Sequence, residues 1–284
     1  MELFDIFVVV MGCIISYLLG GISIARLVTK KDKEGDINNQ GSGNPGTMNM
    51  LRTHGLFMGM FTLICDALKG VLPALFGLLY FEQIDVNFSY TALYLFGLCA
   101  VVGHIFPVYY KFKGGKGIAT TLGVFIVADP ITSLILFGIL FVTLYFIKIS
   151  SVVSLLFITI NAIIQLFKPY CEGNWILIVI MLLMVVLDIW AHRQNLVRLV
   201  ENRENAADLQ EGLRKDIEKI KNKQVRKVEK FVQKTENIRQ KYENKITKKH
   251  DKVNKKMERL NNKNNDVKPG VSVDDESVSD LNKQ

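Results

Sequence analysis

Four stretches of the chain, 6–25, 87–110, 131–147 and 149–167, contain no Asp, Glu, Lys or Arg and are mostly apolar. An α-helix needs roughly 20 such residues to cross the hydrocarbon of a bilayer. Within that layer a helix satisfies its own backbone groups without water. Stretches 56–80 and 175–191 fit the same description once Asp66, Lys69 and Asp188 are tolerated, and the shorter 118–128 is ended by the Asp129-Pro130 step. The sequence therefore predicts an all-α, polytopic membrane protein with about seven transmembrane helices, one of them short; five or six is the alternative count. Residues 1–5 carry only acidic charge, and no small-residue cleavage site follows, so the first stretch reads as a retained anchor rather than a signal peptide.

Charge is unevenly placed. Residues 1–200 carry a net +2, whereas residues 201–265 carry +9. Lys30, Lys31, Lys33 and Arg52 lie between the first two spans, Lys111, Lys113 and Lys116 lie after the third, and Lys148 marks a short turn. The opposite loops show Glu82, Asp85, Asp129 and Glu172 with Lys168 alone. Because cytoplasmic loops hold the excess of lysine and arginine, the expected arrangement has the N-terminus outside, with the lysine-bearing loops and the tail in the cytoplasm. The four cysteines, Cys13, Cys65, Cys99 and Cys171, are far apart and suggest neither a disulfide framework nor a metal site.

Polar motifs interrupt this apolar frame at four places. In "YYKFKGGKGIATTLG", Gly114, Gly115 and Gly117 admit backbone conformations closed to other residues. Successive N–H groups can then converge on one anion beside Lys113 and Lys116. A turn whose lysines serve only to orient the protein is the plain alternative. In "GSGNPGTMNMLRTHG", Gly41, Gly43 and Gly46 allow close wrapping, Ser42, Asn44, Thr47 and Asn49 offer neutral polar groups, and Arg52 offers a planar fork suited to phosphate. "DALKGVLP" places Asp66 and Lys69 on one helical face at membrane depth, where charges usually meet a partner or a polar cavity; Gly70 and Pro73 suggest a bend. "AHRQNLVRL" puts His192 and Asn195 three residues apart where the last apolar helix runs out.

Together these motifs resemble the PlsY family, the integral-membrane acyl phosphate:glycerol-3-phosphate acyltransferases of bacteria. "SGNPGTMNMLR", "DALKGVLP", "GHIFPVYYKFKGGKGIAT" and "HRQNLVRL" stand in the family's order across residues 3–204. The resemblance implies transfer of a fatty acyl group from acyl phosphate to the 1-hydroxyl of glycerol 3-phosphate, with lysophosphatidic acid and phosphate as products. It implies no metal or cofactor, because the mixed anhydride is already activated, and no nucleic acid partner. By motif position Ser42 and Arg52 would hold substrate phosphate, and Gly114, Gly115, Lys116 and Gly117 would form the cradle supported by Lys113 and His104. His192 and Asn195 would hold the glycerol portion. A family serine falls among Ser150, Ser151 and Ser154, with Ser151 aligning best. The chain departs from the family at Lys148 and Ile149, where an arginine and an aromatic are common, and at Asn202, where glycine is usual.

The third departure is the tail. Residues 205–265 place apolar positions such as Leu209, Leu213, Ile217 and Ile220 at mostly helical steps among Lys, Glu, Asn and Gln, which predicts a long amphipathic helix. Two readings stand for it: a solvated tail, or a surface for anionic lipid or a protein partner. Residues 266–284 have the composition of disorder. Two rival functions come from other classes. A transporter of a phosphate-containing solute should show an internal repeat, and none is visible; a non-catalytic scaffold would leave two phosphate-type loops unexplained.

Overall fold

A computed structural model describes residues 2–30, 35–201, 203 and 208–265 of the chain. Lys31, Lys33, Asn202, the tail before residue 208 and the segment 266–284 lie outside the described residues. Every long element is helical: α1 (Leu3–Gly20), α2 (Ile24–Thr29), α3 (Thr47–His54), α4 (Leu56–Glu82), α5 (Val86–Ile105), α6 (Ile118–Ala128), α7 (Pro130–Ile147), α8 (Ser150–Cys171), α9 (Trp175–Ala191), α10 (Arg193–Val200) and α11 (Leu209–Asn265). The chain forms two compact units, Met1–Ile220 and Lys221–Gln284.

Among the described residues five helices, α1, α4, α5, α7 and α8, are long and apolar enough to cross a membrane. A sixth is obtained if α9 and α10, bent by 49° at His192, count as one span. The short α6 has 11 residues, about 17 Å of helix against roughly 30 Å of hydrocarbon. By length and composition, five or six helices of the described residues qualify, and α6 is the short helix expected among the seven.

The first unit buries polar and charged side chains beside an apolar core that includes Phe81, Phe96 and Met184. Its interior holds Asp66, Lys69, His104, Asn161, Gln165, Asp188, His192 and Asn195, while Phe7, Phe57, Ile135, Ile163 and Ile176 stand exposed on its sides. Such an apolar exterior suits lipid. α5 is the central strut: 67% of its apolar stretch is buried, against 11% for α7. Around it pack α1, α4, α6 and α9, and α8 closes the bundle between α7 and α9.

Close helix approach rests on small residues. A methyl group on Gly70 of α4 would fall 2.0 Å from the Thr120 carbonyl oxygen, and one on Gly123 of α6 would fall 2.0 Å from that of Ala67. Thr120 Oγ1 adds a hydrogen bond of 3.0 Å to the Asp66 carbonyl. Since backbone rather than a flexible side chain is in the way, Gly123→Val is expected to push α6 from α4 and lower the melting temperature in detergent or lipid. The cost should be about 1–3 kcal/mol, the usual range for overpacking; an unchanged melting temperature would contradict the contact.

Local signals place the breaks. Asp129 ends α6 and caps α7, its carboxylate accepting from Thr132 N at 3.1 Å, with Pro130 in the first turn. Pro73 does not end α4, which continues to Glu82. The described part of the second unit, residues 221–265, is a stretch of α11, and residues 221–260 are exposed.

Candidate active site

One end of the bundle gathers three of the four sequence clusters, and the fourth stands in the helices directly behind them. The loop before α3 is shaped by Gly41 and Gly43, with φ of 55° and 71°. Asn49 holds it from behind: its side-chain oxygen accepts from Ser42 N at 2.9 Å, and its amide donates to Gln40 O at 2.9 Å. Asn49 is buried and shapes the loop, whereas Ser42, Gly43 and Asn44 line a cleft of about 380 Å³.

The glycine loop forms the facing wall of that cleft, with Lys113, Gly114, Gly115 and Lys116 in its lining. Gly115 N donates to His104 O at 3.0 Å. A methyl group on Gly115 would meet His104 Nε2 at 2.1 Å, so only glycine lets the loop lie on the histidine. Gly117 begins α6 with φ of 89°, and a methyl group there would strike Asp188 Oδ1 at 2.2 Å. Lys116 stands just before the positive end of α6.

A second cavity opens beside the first and is mostly apolar, walled by Leu122, Phe137, Leu140, Phe141, Val153 and Phe157. The same cavity is also lined by the polar Asp66, His104, Ser150, Ser151 and His192. Lys116 and Asn44 line both cavities and so mark where they meet.

At the α9–α10 bend, His192 is buried and its Nδ1 lies 2.8 Å from Asp188 O. A carbonyl only accepts, so Nδ1 carries a proton in this contact. Asn195 Nδ2 donates to Ser151 Oγ at 3.1 Å, and Arg52 Nη2 donates to Ser150 Oγ at 3.4 Å. Ser154 instead bonds back to Ser150 O at 2.6 Å. The three serines therefore separate: Ser151 joins the Asn195 side, Ser150 the Arg52 side, and Ser154 stays on its own helix.

Lys69 lies 2.5 Å from Asp66 Oδ1, with both side chains buried. Asp66 lines the apolar cavity, and Lys69 stands behind it. His104 Nδ1 is 4.0 Å from the same carboxylate oxygen.

Sequence reasoning missed Arg26 and singled out Asp188 only as a tolerated charge. Arg26 donates from Nη2 to Lys113 O at 2.6 Å and from Nε and Nη2 to Asn38 Oδ1 at 3.1 and 3.0 Å, and its guanidinium lies 4.3 Å from the Tyr110 ring centre. It joins the two polar loops. Asp188 lies fully buried under Gly117.

The family model for glycerol-3-phosphate acyltransferase matches residues 10–202. The chain belongs to the glycerol-3-phosphate acyltransferase family. A relative named glycerol-3-phosphate acyltransferase from Halalkalibacterium halodurans is 35% identical over 191 residues, covering 67% of this chain and 91% of the relative. One of the same name from Neisseria meningitidis serogroup B is 37% identical over 193 residues, covering 67% and 93%. The fold is similar to crystal structures of PlsY, an integral membrane glycerol 3-phosphate acyltransferase. Its glycerol 3-phosphate form gives a TM-score of 0.62 at 30% identity, covering 72% of this chain and 98% of that one. Its lysophosphatidic acid form gives 0.59 at the same identity. The four motifs that carried the resemblance all fall inside the matched region.

Proposed function

We propose that the chain transfers a fatty acyl group from acyl phosphate to the 1-hydroxyl of glycerol 3-phosphate, giving lysophosphatidic acid and inorganic phosphate. The observation that carries this reading is the junction at Lys116 and Asn44, where an apolar cavity meets a cationic cleft. An amphiphilic donor needs the first, and a small anionic acceptor needs the second. Family membership and the named forms of the related structures support the same pair of substrate and product.

In this reading the acyl chain lies between α6, α7 and α8, with its phosphate over the glycine loop. Arg52 and Ser42 hold glycerol 3-phosphate by its phosphate, and Asn195 and His192 orient the glycerol. The hydroxyl oxygen attacks the acyl carbonyl carbon, an acyl–oxygen bond forms, and the bond to phosphate breaks with its electron pair leaving on phosphate. His192 Nε2 is the nitrogen able to accept the hydroxyl proton. Lys116 and the loop N–H groups offset the charge that develops on the carbonyl and leaving-group oxygens.

The same end of the bundle faces the cytoplasm in this proposal, because Lys30, Lys111, Lys113, Lys116 and Lys148 cluster there and Glu82, Asp85, Asp129 and Glu172 stand at the other end. The exposed basic part of α11 has the charge to meet anionic lipid or a protein partner.

The deciding experiment uses purified protein in lipid. Lysophosphatidic acid and phosphate are expected only when acyl phosphate and glycerol 3-phosphate are both present. Acyl coenzyme A in place of acyl phosphate should give no product, and equal rates with the two donors would refute the donor assignment.

A further inference from the structure

The family match ends at residue 202, before α11 begins at Leu209. Yet the first three turns of α11, which belong to the first compact unit, are tied into the bundle at two corners. Gly212 and Asp216 are buried.

The first corner is the junction of α3 and α4. α4 starts at Gly55, which has no side chain to cap it, and Asp216 Oδ2 accepts from Phe57 N at 2.9 Å instead. Gly55 has φ of 98°, and a methyl group there would lie 2.2 Å from Asp216 Oδ1, so the carboxylate occupies space that only glycine leaves. Lys215 Nζ and Lys219 Nζ donate to the carbonyls of Arg52 and His54, the latter at 3.1 Å. Acid thus meets the start of one helix, and two ammonium groups meet the end of the other, each matching the local dipole.

The second corner joins α7 to α8. Asp208 Oδ2 accepts from Lys148 Nζ at 2.8 Å, and Gln210 Nε2 donates to Tyr145 Oη at 3.0 Å. Leu209 packs against the pair Leu144 of α7 and Val153 of α8, as do Met48 of α3 and Leu140 of α7. Those four residues line the apolar cavity. One segment therefore grips both walls of it, and the Arg52–Ser150 hydrogen bond of 3.4 Å also crosses between them.

We propose that residues 208–219 are a brace that sets the width of the apolar cavity and so governs which acyl chains the enzyme accepts. The inference rests on the acyl-transfer reading. Each methylene buried in a fitted groove is worth a factor of about four in binding, so a groove freed to open discriminates less between chains of different length.

The test uses the full chain in lipid vesicles, with kcat/KM measured for dodecanoyl and hexadecanoyl phosphate and KM for glycerol 3-phosphate measured alongside. In the triple variant Lys215→Ala, Asp216→Ala, Lys219→Ala, the ratio between the two donors should change by about fivefold, little more than one methylene's share. KM for glycerol 3-phosphate should stay within about twofold, a split that general unfolding does not produce. The matching triple Lys215→Arg, Asp216→Asn, Lys219→Arg keeps a donor at 215 and 219 and one acceptor oxygen at 216 for Phe57 N, and should keep the wild-type ratio. Leu209→Ala removes the wall contact and none of the polar bonds, so it gives a second reading if the first variant folds poorly. An unchanged donor ratio in Leu209→Ala overturns the brace. A wild type that makes no lysophosphatidic acid overturns the acyl-transfer reading itself, and the brace with it.

Discussion

Lys116→Ala is expected to lower kcat by a factor of about 100 to 1,000, the usual effect of removing one group that stabilises transition-state charge, while the bundle stays folded. The two halves of this expectation have different sources. The lysine stands in the loop between α5 and α6, and that loop is held by His104 O accepting from Gly115 N and by Arg26 donating to Lys113 O. Neither contact uses the Lys116 side chain. Its chemical importance comes from lining both cavities at once. Lys116→Arg should fail as well, because a planar fork does not replace a compact ammonium where glycines bring backbone close on each side. Circular dichroism and a melting curve test the fold, and steady-state rates test the chemistry. Near-normal turnover in Lys116→Ala would return the loop to the role of an orientation signal.

Gly117→Ala makes a useful companion. Here the expected loss has a steric cause, a φ of 89° together with a contact at Asp188, so stability should fall along with activity. That contrast separates the lysine's electrostatic part from the loop's shape.

What could be read from the sequence was local. Glycine, lysine and arginine in short motifs reported two polar loops, and each loop does line the cleft. Uncharged runs reported the spans, because hydrocarbon thickness fixes their length. The less legible features depend on contacts across long separations. Arg26 and Lys113 are 87 residues apart, and Phe57 and Asp216 are 159 apart. No periodicity marks such partners. Asn49 illustrates the same limit: as an amide in a phosphate-type motif it reads as a ligand, but a side chain that must hold Ser42 N and Gln40 O is committed to the loop. In the tail, helical spacing was visible, but which three turns would dock was not, since Asp216 and Gly212 resemble their neighbours until Gly55 is placed beside them.

The pair Asp66 and Lys69 makes the other large prediction. Both side chains are buried, 2.5 Å apart, and Asp66 lines the apolar cavity. Lys69→Met alone leaves a carboxylate without its closest cation, and breaking a buried pair in this way costs about 3–5 kcal/mol. Asp66→Leu alone should cost about as much, for the opposite charge. Replacing both removes the desolvated charges together, so the double variant should recover most of the wild-type melting temperature. Activity is expected to stay low in it. Asp66 Oδ1 also faces His104 Nδ1 at 4.0 Å, and His104 is the residue on which Gly115 rests, so losing the carboxylate alters the support of the cradle even when the helices pack well. Thermal unfolding and kcat, measured on both single variants and the double, separate the two roles. A double variant that is both stable and fully active would make the pair a packing device and nothing more.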